Sequence, residues 1–237
     1  MKSNLTTLCY IEQDEKYLMM HRVKKEKDIN KDKWIGIGGH FEADESPEEC
    51  LIREVKEETN LTLKSFQLRG VITFRSDKWQ TEYMFLYTAE AFPEALGECD
   101  EGTLEWIEKK KVYDLPIWEG DKIFFYLLEE NRAFFSLKLR YQGEALVEAV
   151  LDGENIMEKS YLIVSIEEQD FGCEGRPDGM EAMVDVVLQK ADGTKIRIEE
   201  KDKRLYELDI KEGDSVFWQD GRIYALEKKS NMEIGEV

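Results

Sequence analysis

Three glutamates, Glu54, Glu57 and Glu58, have the side-chain type and the spacing for metal chemistry. Positions three and four residues apart lie on the same face of an α-helix, so a helix here would present the three carboxylates together. Hard cations such as Mg²⁺ take carboxylate oxygens, water and substrate phosphates as ligands. The alternative is a solvated acidic face, because an exposed like-charge pair on a helix costs only about 0.2–0.5 kcal/mol.

The sequence also predicts the helix that would carry these glutamates. Ser46 followed by Glu49 forms a capping box, and Pro47 suits the first helical position. We expect the helix to end near Thr59, because Asn60 tolerates the left-handed conformation of a C-terminal cap. The predicted buried side of this helix consists of Leu51, Ile52 and Val55.

The segment before the helix is rich in glycine, and residues 34–39 are predicted to form a strand. Gly38 and Gly39 lack a Cβ atom, so a backbone carbonyl or a substrate phosphate can approach closely there. Glu45 and Arg53 have opposite charges and are expected to pair, which would hold the intervening loop against the helix. This arrangement would chelate a metal–diphosphate complex.

The spacing of these residues resembles the Nudix box, G-x5-E-x7-R-E-U-x-E-E-x-G-U, in which U is a bulky apolar residue. The matching residues are Gly39, Glu45, Arg53, Glu54, Val55, Glu57, Glu58 and Leu61, and Asn60 replaces the final glycine of the motif. The resemblance implies an α+β protein with the Nudix α/β/α sandwich around a mixed sheet. It further implies a Mg²⁺ ion, with Mn²⁺ as the other candidate, held by Glu54, Glu57, Glu58 and the carbonyl of Gly39.

The same resemblance suggests catalytic roles. Glu57 or Glu58 on the helix, or Glu101 across the site, would activate the attacking water, with Glu54 and Arg53 completing the catalytic set. Glu101 lies five residues before Trp106, where relatives carry a loop acid that contacts the metal. The alternative for Glu101 is a simple surface charge in an acidic loop.

Beyond the box, the segments Leu115–Tyr126 and Ser136–Glu144 resemble the MutT-type oxidised purine nucleoside triphosphatases, which release pyrophosphate. Trp118 would stack on the purine, Asp121 would hydrogen-bond its edge, and Phe74 would line the pocket; the alternative is that both aromatic residues belong to the core. Ile35 stands where those enzymes have a polar amide that hydrogen-bonds to the base. Gly120 stands where they have a second acid beside the position of Asp121. Since an apolar wall discriminates little between bases, Ile35 leaves the substrate preference open.

The resemblance therefore implies hydrolysis of a purine nucleoside triphosphate such as 8-oxo-dGTP to the monophosphate and pyrophosphate. Two alternatives remain at the level of sequence. One is hydrolysis of another nucleoside diphosphate conjugate, such as ADP-ribose or a nucleotide sugar. The other is a nucleotide-sensing Nudix module without catalysis, which the intact glutamates Glu54, Glu57 and Glu58 disfavour.

Composition sets the remaining expectations. The net charge of −19 argues against a nucleic-acid polymer as partner, because binding phosphates along a strand requires clustered Lys and Arg. Four widely spaced cysteines, no apolar leader and no long apolar run predict a cytoplasmic protein without a membrane contact.

The chain is predicted to divide into a Nudix domain, residues 1–157, and a small β-rich domain, residues 158–237. Short strands with Asp-Gly turns at 192–193 and 220–221 predict an antiparallel barrel or sandwich in the second domain, and residues 170–179 a Gly- and Pro-rich loop. We expect this domain to act in homodimer formation, as a lid or specificity module, or only as a structural module.

Overall fold

The computed structural model describes residues 4–24, 28–169, 181–219 and 222–227. The chain separates into two compact units, Met1–Asn155 and Ile156–Val237. None of the helices within these described ranges is long and apolar enough to cross a membrane. The predicted loop at residues 170–179 and the predicted turn at 220–221 lie outside the described residues.

The first unit is built on a nine-stranded mixed sheet, with strand order β3-β2-β1-β5-β4-β7-β8-β9 and β6 paired to β2. Strands β1 and β5 run parallel, as do β4 and β7, whereas the other neighbours run antiparallel. The strands are β1 (Leu5–Gln13), β2 (Lys16–His21), β3 (Trp34–Ile35), β4 (Leu63–Ser76), β5 (Glu82–Ala91), β6 (Thr103–Glu108), β7 (Phe135–Gln142), β8 (Ala145–Leu151) and β9 (Glu154–Asn155).

Helices α1 (Pro47–Thr59) and α2 (Glu119–Glu129) cover opposite faces of this sheet, and successive residues of β1 pack against one helix or the other. Successive side chains of a strand point to opposite faces of the sheet. Cys9 belongs to the cluster that includes α1 residues, whereas the ring of Tyr10 packs against Phe124 and Phe125 of α2. The mixed sheet with helices on both sides confirms the predicted α/β/α sandwich.

Helix α1 begins and ends as its sequence predicts. The side chain of Ser46 accepts a hydrogen bond from the backbone of Glu49, and the Glu49 side chain accepts one from the backbone of Ser46. Asn60 closes the helix in the left-handed region with φ of 62°. The prediction for Ile52 is wrong: its exposed fraction is 50%, because the buried stripe of the helix runs through Leu51, Val55, Glu58 and Thr59.

The predicted strand at residues 34–39 is shorter than expected. Regular pairing with β2 stops after Ile35, and the chain continues through isolated bridges between Ile37 and Cys9 and between His40 and Thr6. Gly38 has a φ of +149°, a conformation that L side chains rarely adopt, and a Cβ there would lie 2.2 Å from the carbonyl oxygen of Thr7. The segment therefore crosses close to β1 instead of extending the ladder.

The second unit contains a five-stranded antiparallel sheet with strand order β12-β11-β10-β13-β14. The strands are β10 (Ser160–Glu168), β11 (Met183–Gln189), β12 (Lys195–Lys201), β13 (Ser215–Gln219) and β14 (Arg222–Glu227). Gly193 adopts a φ of +86° in the predicted turn between β11 and β12. A short helix, α3 (Asp202–Glu207), follows β12 and had no counterpart among the sequence predictions.

Candidate functional site

Arg53 ties the loop before α1 to the helix. Its Nε donates to Glu45 Oε1 at 2.6 Å, and its Nη2 donates to Glu45 Oε2 at 2.9 Å and to the carbonyl of His40 at 3.0 Å. The hydrogen bonds from Arg53, followed by one from the backbone of Glu42, lower the pKa of Glu45 to about 2. The predicted Glu45–Arg53 pair is thus confirmed, and it is bidentate.

Two of the predicted metal ligands lie against the glycine segment. Glu54 Oε1 accepts a hydrogen bond from Arg53 Nη1 at 2.7 Å, and a Cβ placed on Gly39 would lie 2.4 Å from the same oxygen. Glu58 Oε2 accepts a hydrogen bond from the backbone N–H of Gly38 at 3.1 Å. Any side chain at residue 39 would therefore displace the Glu54 carboxylate.

Burial changes the acidity of both carboxyl groups. Glu58 is only 8% exposed, and burial raises its pKa to about 8, with further increases from the charges of Glu54 and Glu101. Burial also raises the pKa of Glu54, against the opposing effect of Arg53. Both carboxyl groups therefore hold a proton more readily than exposed carboxyl groups do.

Glu57 and Glu101 occupy the margins of this site. The Glu57 side chain is 61% exposed and accepts a hydrogen bond from Arg53 Nη1 at 3.2 Å. Glu101 forms an ion pair with Arg22, which also binds Asp28 at 2.7 Å. The charge of Glu101 also contributes to the raised pKa values of Glu54 and Glu58, so this loop acid acts electrostatically on the helix carboxylates.

The donor chemistry of the site fits a divalent cation. Carboxylate oxygens suit Mg²⁺ and Mn²⁺, and a cation would favour the ionised forms of Glu54 and Glu58, whose pKa values burial raises. In the side-chain arrangement observed, no three acidic, histidine or cysteine side chains of the described chain converge as a metal cage. The carbonyl of Gly39 accepts hydrogen bonds from the N–H of Thr7 at 2.9 Å and from the thiol of Cys50 at 3.7 Å.

A pocket on the α2 side of the sheet collects all the residues predicted to hold a base. The cavity has a volume of about 60 Å³, and the lining residues that matter here are Tyr10, Asn30, Ile35, Phe74, Trp118 and Asp121. Asp121 is 7% exposed, and burial raises the pKa of its carboxyl group to about 8, against the lowering effect of Lys33. The group is therefore largely a neutral acid near pH 7 and can donate a hydrogen bond.

Trp118 is held in a defined orientation at this pocket. Its Nε1 donates to the amide oxygen of Asn30 at 2.8 Å, and the rings of Phe74 and Tyr141 meet it edge-on at 5.4 and 4.9 Å. The ammonium group of Lys33 lies 4.5 Å from the centre of its ring. Trp118 is 7% exposed, so it is both a packed aromatic residue and a wall of the cavity.

The sequence did not predict Asn30. This amide stands in a polar stretch before β3, and nothing in that stretch distinguished it from its charged neighbours. In the fold, Asn30 supplies a polar amide to the same cavity that Ile35 lines with an apolar surface. The pocket is thus more polar than Ile35 alone indicates.

Packing explains why Gly120 stands where a second acid was expected. The backbone N–H of Gly120 donates to the hydroxyl of Tyr141 at 2.8 Å. A Cβ on Gly120 would lie 2.6 Å from that hydroxyl and 2.5 Å from Leu139 Cδ1. Tyr141 and Leu139 therefore fill the space that an acidic side chain would need.

One short segment connects the pocket with the carboxylates. Ile35 lines the cavity, and Gly38, three residues later, binds Glu58. Three residues of extended chain span at most about 11 Å. The pocket and the carboxylates therefore lie within reach of one elongated ligand, such as a nucleotide with its base at one end and phosphates at the other.

Comparisons with known proteins show the family of the chain. A family model described as the NUDIX domain matches residues 2–128. An uncharacterized Nudix hydrolase, YvcI, from Bacillus subtilis (strain 168) is 31% identical over 120 residues, which cover 48% of this chain and 72% of the relative.

Two further relatives are named for nucleotide chemistry or for MutT. The oxidized purine nucleoside triphosphate hydrolase of Danio rerio is 28% identical over 153 residues, which cover 63% of this chain and 95% of the relative. The crystal structure of the MutT protein from Bacillus halodurans superposes with a TM-score of 0.56 at 26% identity, covering 65% of this chain and 99% of that chain.

Proposed function

The chain belongs to the Nudix family of hydrolases, and from that premise we propose that its first unit hydrolyses a purine nucleoside triphosphate to the monophosphate and pyrophosphate. We further propose that oxidised purine nucleotides such as 8-oxo-dGTP are among its substrates and that the activity removes them from the nucleotide pool. The observation that carries the proposal is the aromatic pocket with a neutral acid, Asp121, joined to the carboxylates through the segment from Ile35 to Gly38. The similarity to the zebrafish hydrolase supports the same substrate class.

In this proposal the carboxylates of the Nudix box bind the divalent cation. Glu54, Glu57 and Glu58 would hold the divalent cation, with Glu101 and the carbonyl of Gly39 at its margin. When bound, a divalent cation neutralises phosphate charge and lowers the pKa of water, which is the chemistry that phosphoryl hydrolysis requires. Mg²⁺ is the expected ion and Mn²⁺ its substitute.

The protein side chains supply positioning and proton transfer. Arg53 fixes the loop and the Glu54 carboxylate, and so acts as a positioning residue. Among the candidate bases we assign proton acceptance to Glu58. Its carboxylate is buried and oriented by the N–H of Gly38, whereas Glu57 is exposed and Glu101 is paired with Arg22.

The pocket residues would bind the base. Trp118 and Phe74 provide the aromatic walls, and Asp121, as a neutral acid, would donate a hydrogen bond to an acceptor on the purine edge. Gly38 packs against the backbone of Thr7 and its N–H binds Glu58, so it would place that carboxylate beside the phosphates.

The test is the release of pyrophosphate and phosphate, in Mg²⁺, from a panel of compounds. The panel holds dGTP, 8-oxo-dGTP, other nucleoside triphosphates, ADP-ribose and nucleotide sugars. A much higher kcat/KM for 8-oxo-dGTP than for dGTP, with pyrophosphate as product, supports the proposal. Turnover confined to diphosphate conjugates, or no turnover at all, contradicts it and favours the conjugate hydrolase or the sensing module.

A matched pair of variants tests the role of the carboxylates. Glu58→Gln should abolish turnover, because it removes the charge of a buried ligand and base while keeping the volume. Glu48→Gln makes the same chemical change in the first turn of α1, where Glu48 accepts a hydrogen bond from Tyr87, and should leave turnover near wild type. Equal turnover in Glu58→Gln and wild type would show that Glu58 is neither the cation ligand nor the proton acceptor that we propose.

A further inference from the structure

Tyr10 is a fully buried tyrosine of β1 that lines the base pocket. Its exposed fraction is 0%. The ring lies edge-on to Phe125 at 4.7 Å and to Tyr17 at 5.5 Å, and it contacts Phe124 at 5.8 Å. These contacts fix the direction of the Cα–ring axis, and so they also fix the position of the hydroxyl group.

The hydroxyl of Tyr10 makes no hydrogen bond of regular geometry with the described residues. Two other buried tyrosines of the same unit differ: Tyr113 donates to Glu129 at 2.8 Å, and Tyr87 donates to Glu48 at 3.0 Å. Buried polar groups in folded proteins are almost always hydrogen-bonded. An exception therefore either lowers the stability of the fold or forms its hydrogen bond with a bound ligand.

The surroundings of this hydroxyl favour a ligand. Tyr10 lines a cavity whose other polar lining residues are Asn30, Glu82 and Asp121. The backbone N–H of Gly36 acts on the phenolic oxygen, where it opposes the rise in the pKa of Tyr10 that burial and Asp121 cause. Because a donor already faces the oxygen, the group without a partner is the O–H proton.

We propose that Tyr10 is a specificity-determining residue whose hydroxyl donates a hydrogen bond to an acceptor atom on the edge of the base. The inference rests on the proposed function, since it takes the cavity as the base site. The acceptor is a carbonyl oxygen or an unprotonated ring nitrogen. A base with an amino group at that position would place two donors opposite each other, and the site would reject it.

The residues in this proposal come from distant parts of the chain. Tyr10 lies on the first strand, Asn30 precedes the third, and Asp121 lies on α2. Together they place polar groups at a cavity that Ile35 and Phe74 line with apolar surface. Polar groups at fixed points in an otherwise apolar cleft are the usual basis of selectivity among small ligands.

The test compares Tyr10→Phe with Tyr17→Phe. Both changes remove one hydroxyl from a buried ring of the same aromatic cluster, but among the two only Tyr10 lines the cavity. Tyr10→Phe should lower kcat/KM for the preferred purine triphosphate about 3- to 10-fold, through KM and not kcat, because one neutral hydrogen bond to the base is lost. Tyr17→Phe should leave KM unchanged.

Thermal unfolding separates recognition from stability. Removing a buried hydroxyl that makes no hydrogen bond of regular geometry should leave the Tm of Tyr10→Phe equal to, or above, that of wild type. The ratio of kcat/KM values between the best and the worst purine should also shrink in Tyr10→Phe. Unchanged KM values and an unchanged ratio would overturn the proposal, as would a lower Tm together with an equal loss for every nucleotide.

The two proposals fail in different ways. If wild-type protein turns over no purine triphosphate, the proposed function fails whatever Tyr10 does. If wild-type protein does turn over purine triphosphates and Tyr10→Phe matches it for every base, the proposed function stands and the role of Tyr10 is refuted. Binding of the nucleoside monophosphate product without metal, followed by tryptophan fluorescence, should weaken by the same factor as KM rises.

Discussion

Replacing Asp121 by asparagine tests the protonation state of the base pocket. The carboxyl group is buried, and its pKa rises from 3.8 to about 8, chiefly through burial and with a small addition from Glu119; Lys33 opposes the rise. Asparagine has nearly the same shape and carries no charge at any pH. We therefore expect Asp121→Asn to fold normally at neutral pH and to lose the pH dependence that Asp121 contributes.

The sign and the size follow from linkage. An acid whose pKa is raised on folding stabilises the fold below its unfolded pKa, and this contribution disappears as pH rises through the folded pKa. For Asp121 the loss runs from about pH 4 to about pH 8 and then levels off. At about 1.4 kcal/mol per pH unit, it amounts to about 4 kcal/mol in free energy of unfolding between pH 5 and pH 8.

Urea denaturation of both proteins between pH 5 and pH 9 measures this effect. The free energy of unfolding of Asp121→Asn minus that of wild type should rise by about 4 kcal/mol across this range. Because the chain has two units, the transition to follow is the one that the substitution shifts. Glu119→Gln, a change of the same kind at a more exposed site of α2, should give a nearly constant difference.

A constant difference between Asp121→Asn and wild type would refute the reasoning. It would mean that Asp121 is ionised in the folded protein at neutral pH, and therefore that it accepts hydrogen bonds from the ligand instead of donating one. The same titration should appear in catalysis, because purine binding that needs the neutral acid weakens as pH rises through about 8. KM for purine substrates should then increase at alkaline pH in wild type more than in Asp121→Asn.

Three further outcomes are expected. Trp118→Phe should raise KM for purine triphosphates several-fold with kcat nearly kept, because it shrinks the stacking surface and removes a hydrogen bond; unchanged kinetics would make Trp118 a core residue only. Gly38→Ala should lower the free energy of unfolding by about 2 kcal/mol or more, since its φ is +149° and its Cβ meets backbone, whereas Gly143→Ala, with a φ of +62° and open space, should cost less in urea denaturation. Arg53→Lys should reduce kcat and lower the free energy of unfolding by about 1–2 kcal/mol, because an ammonium group cannot form the bidentate pair; wild-type kcat would show that Arg53 does not position the site.

The Nudix box could be recognised in the sequence because its structure depends on local interactions. Capping by Ser46, the left-handed turn at Asn60 and the pairing of Glu45 with Arg53 depend on residues only a few positions apart. Their geometry is set by helix periodicity and short loops, so the sequence predicted it correctly. The short strands of the second domain and the turn at 192–193 were predicted from equally local signals.

Predictions that depended on what packs against an element were less secure. Ile52 was assigned to the buried side of α1 because it is apolar, but the sheet covers the stripe through Leu51 and Val55, one position to the side. The strand predicted at residues 34–39 stops at Ile35, because Gly38 must pass within contact distance of Thr7. Both outcomes depend on the position of β1, which the local sequence does not contain.

The sequence by itself determined the family and the carboxylate helix, because those residues lie within one short segment. Only the tertiary structure decided how the proposed base pocket is composed. It brings Tyr10, Asn30 and Asp121 together from three separate parts of the chain, and it fills the place of a second acid with Tyr141. Burial, which exists only after the chain has folded, then makes Asp121 a neutral acid and leaves the hydroxyl of Tyr10 without a hydrogen bond of regular geometry.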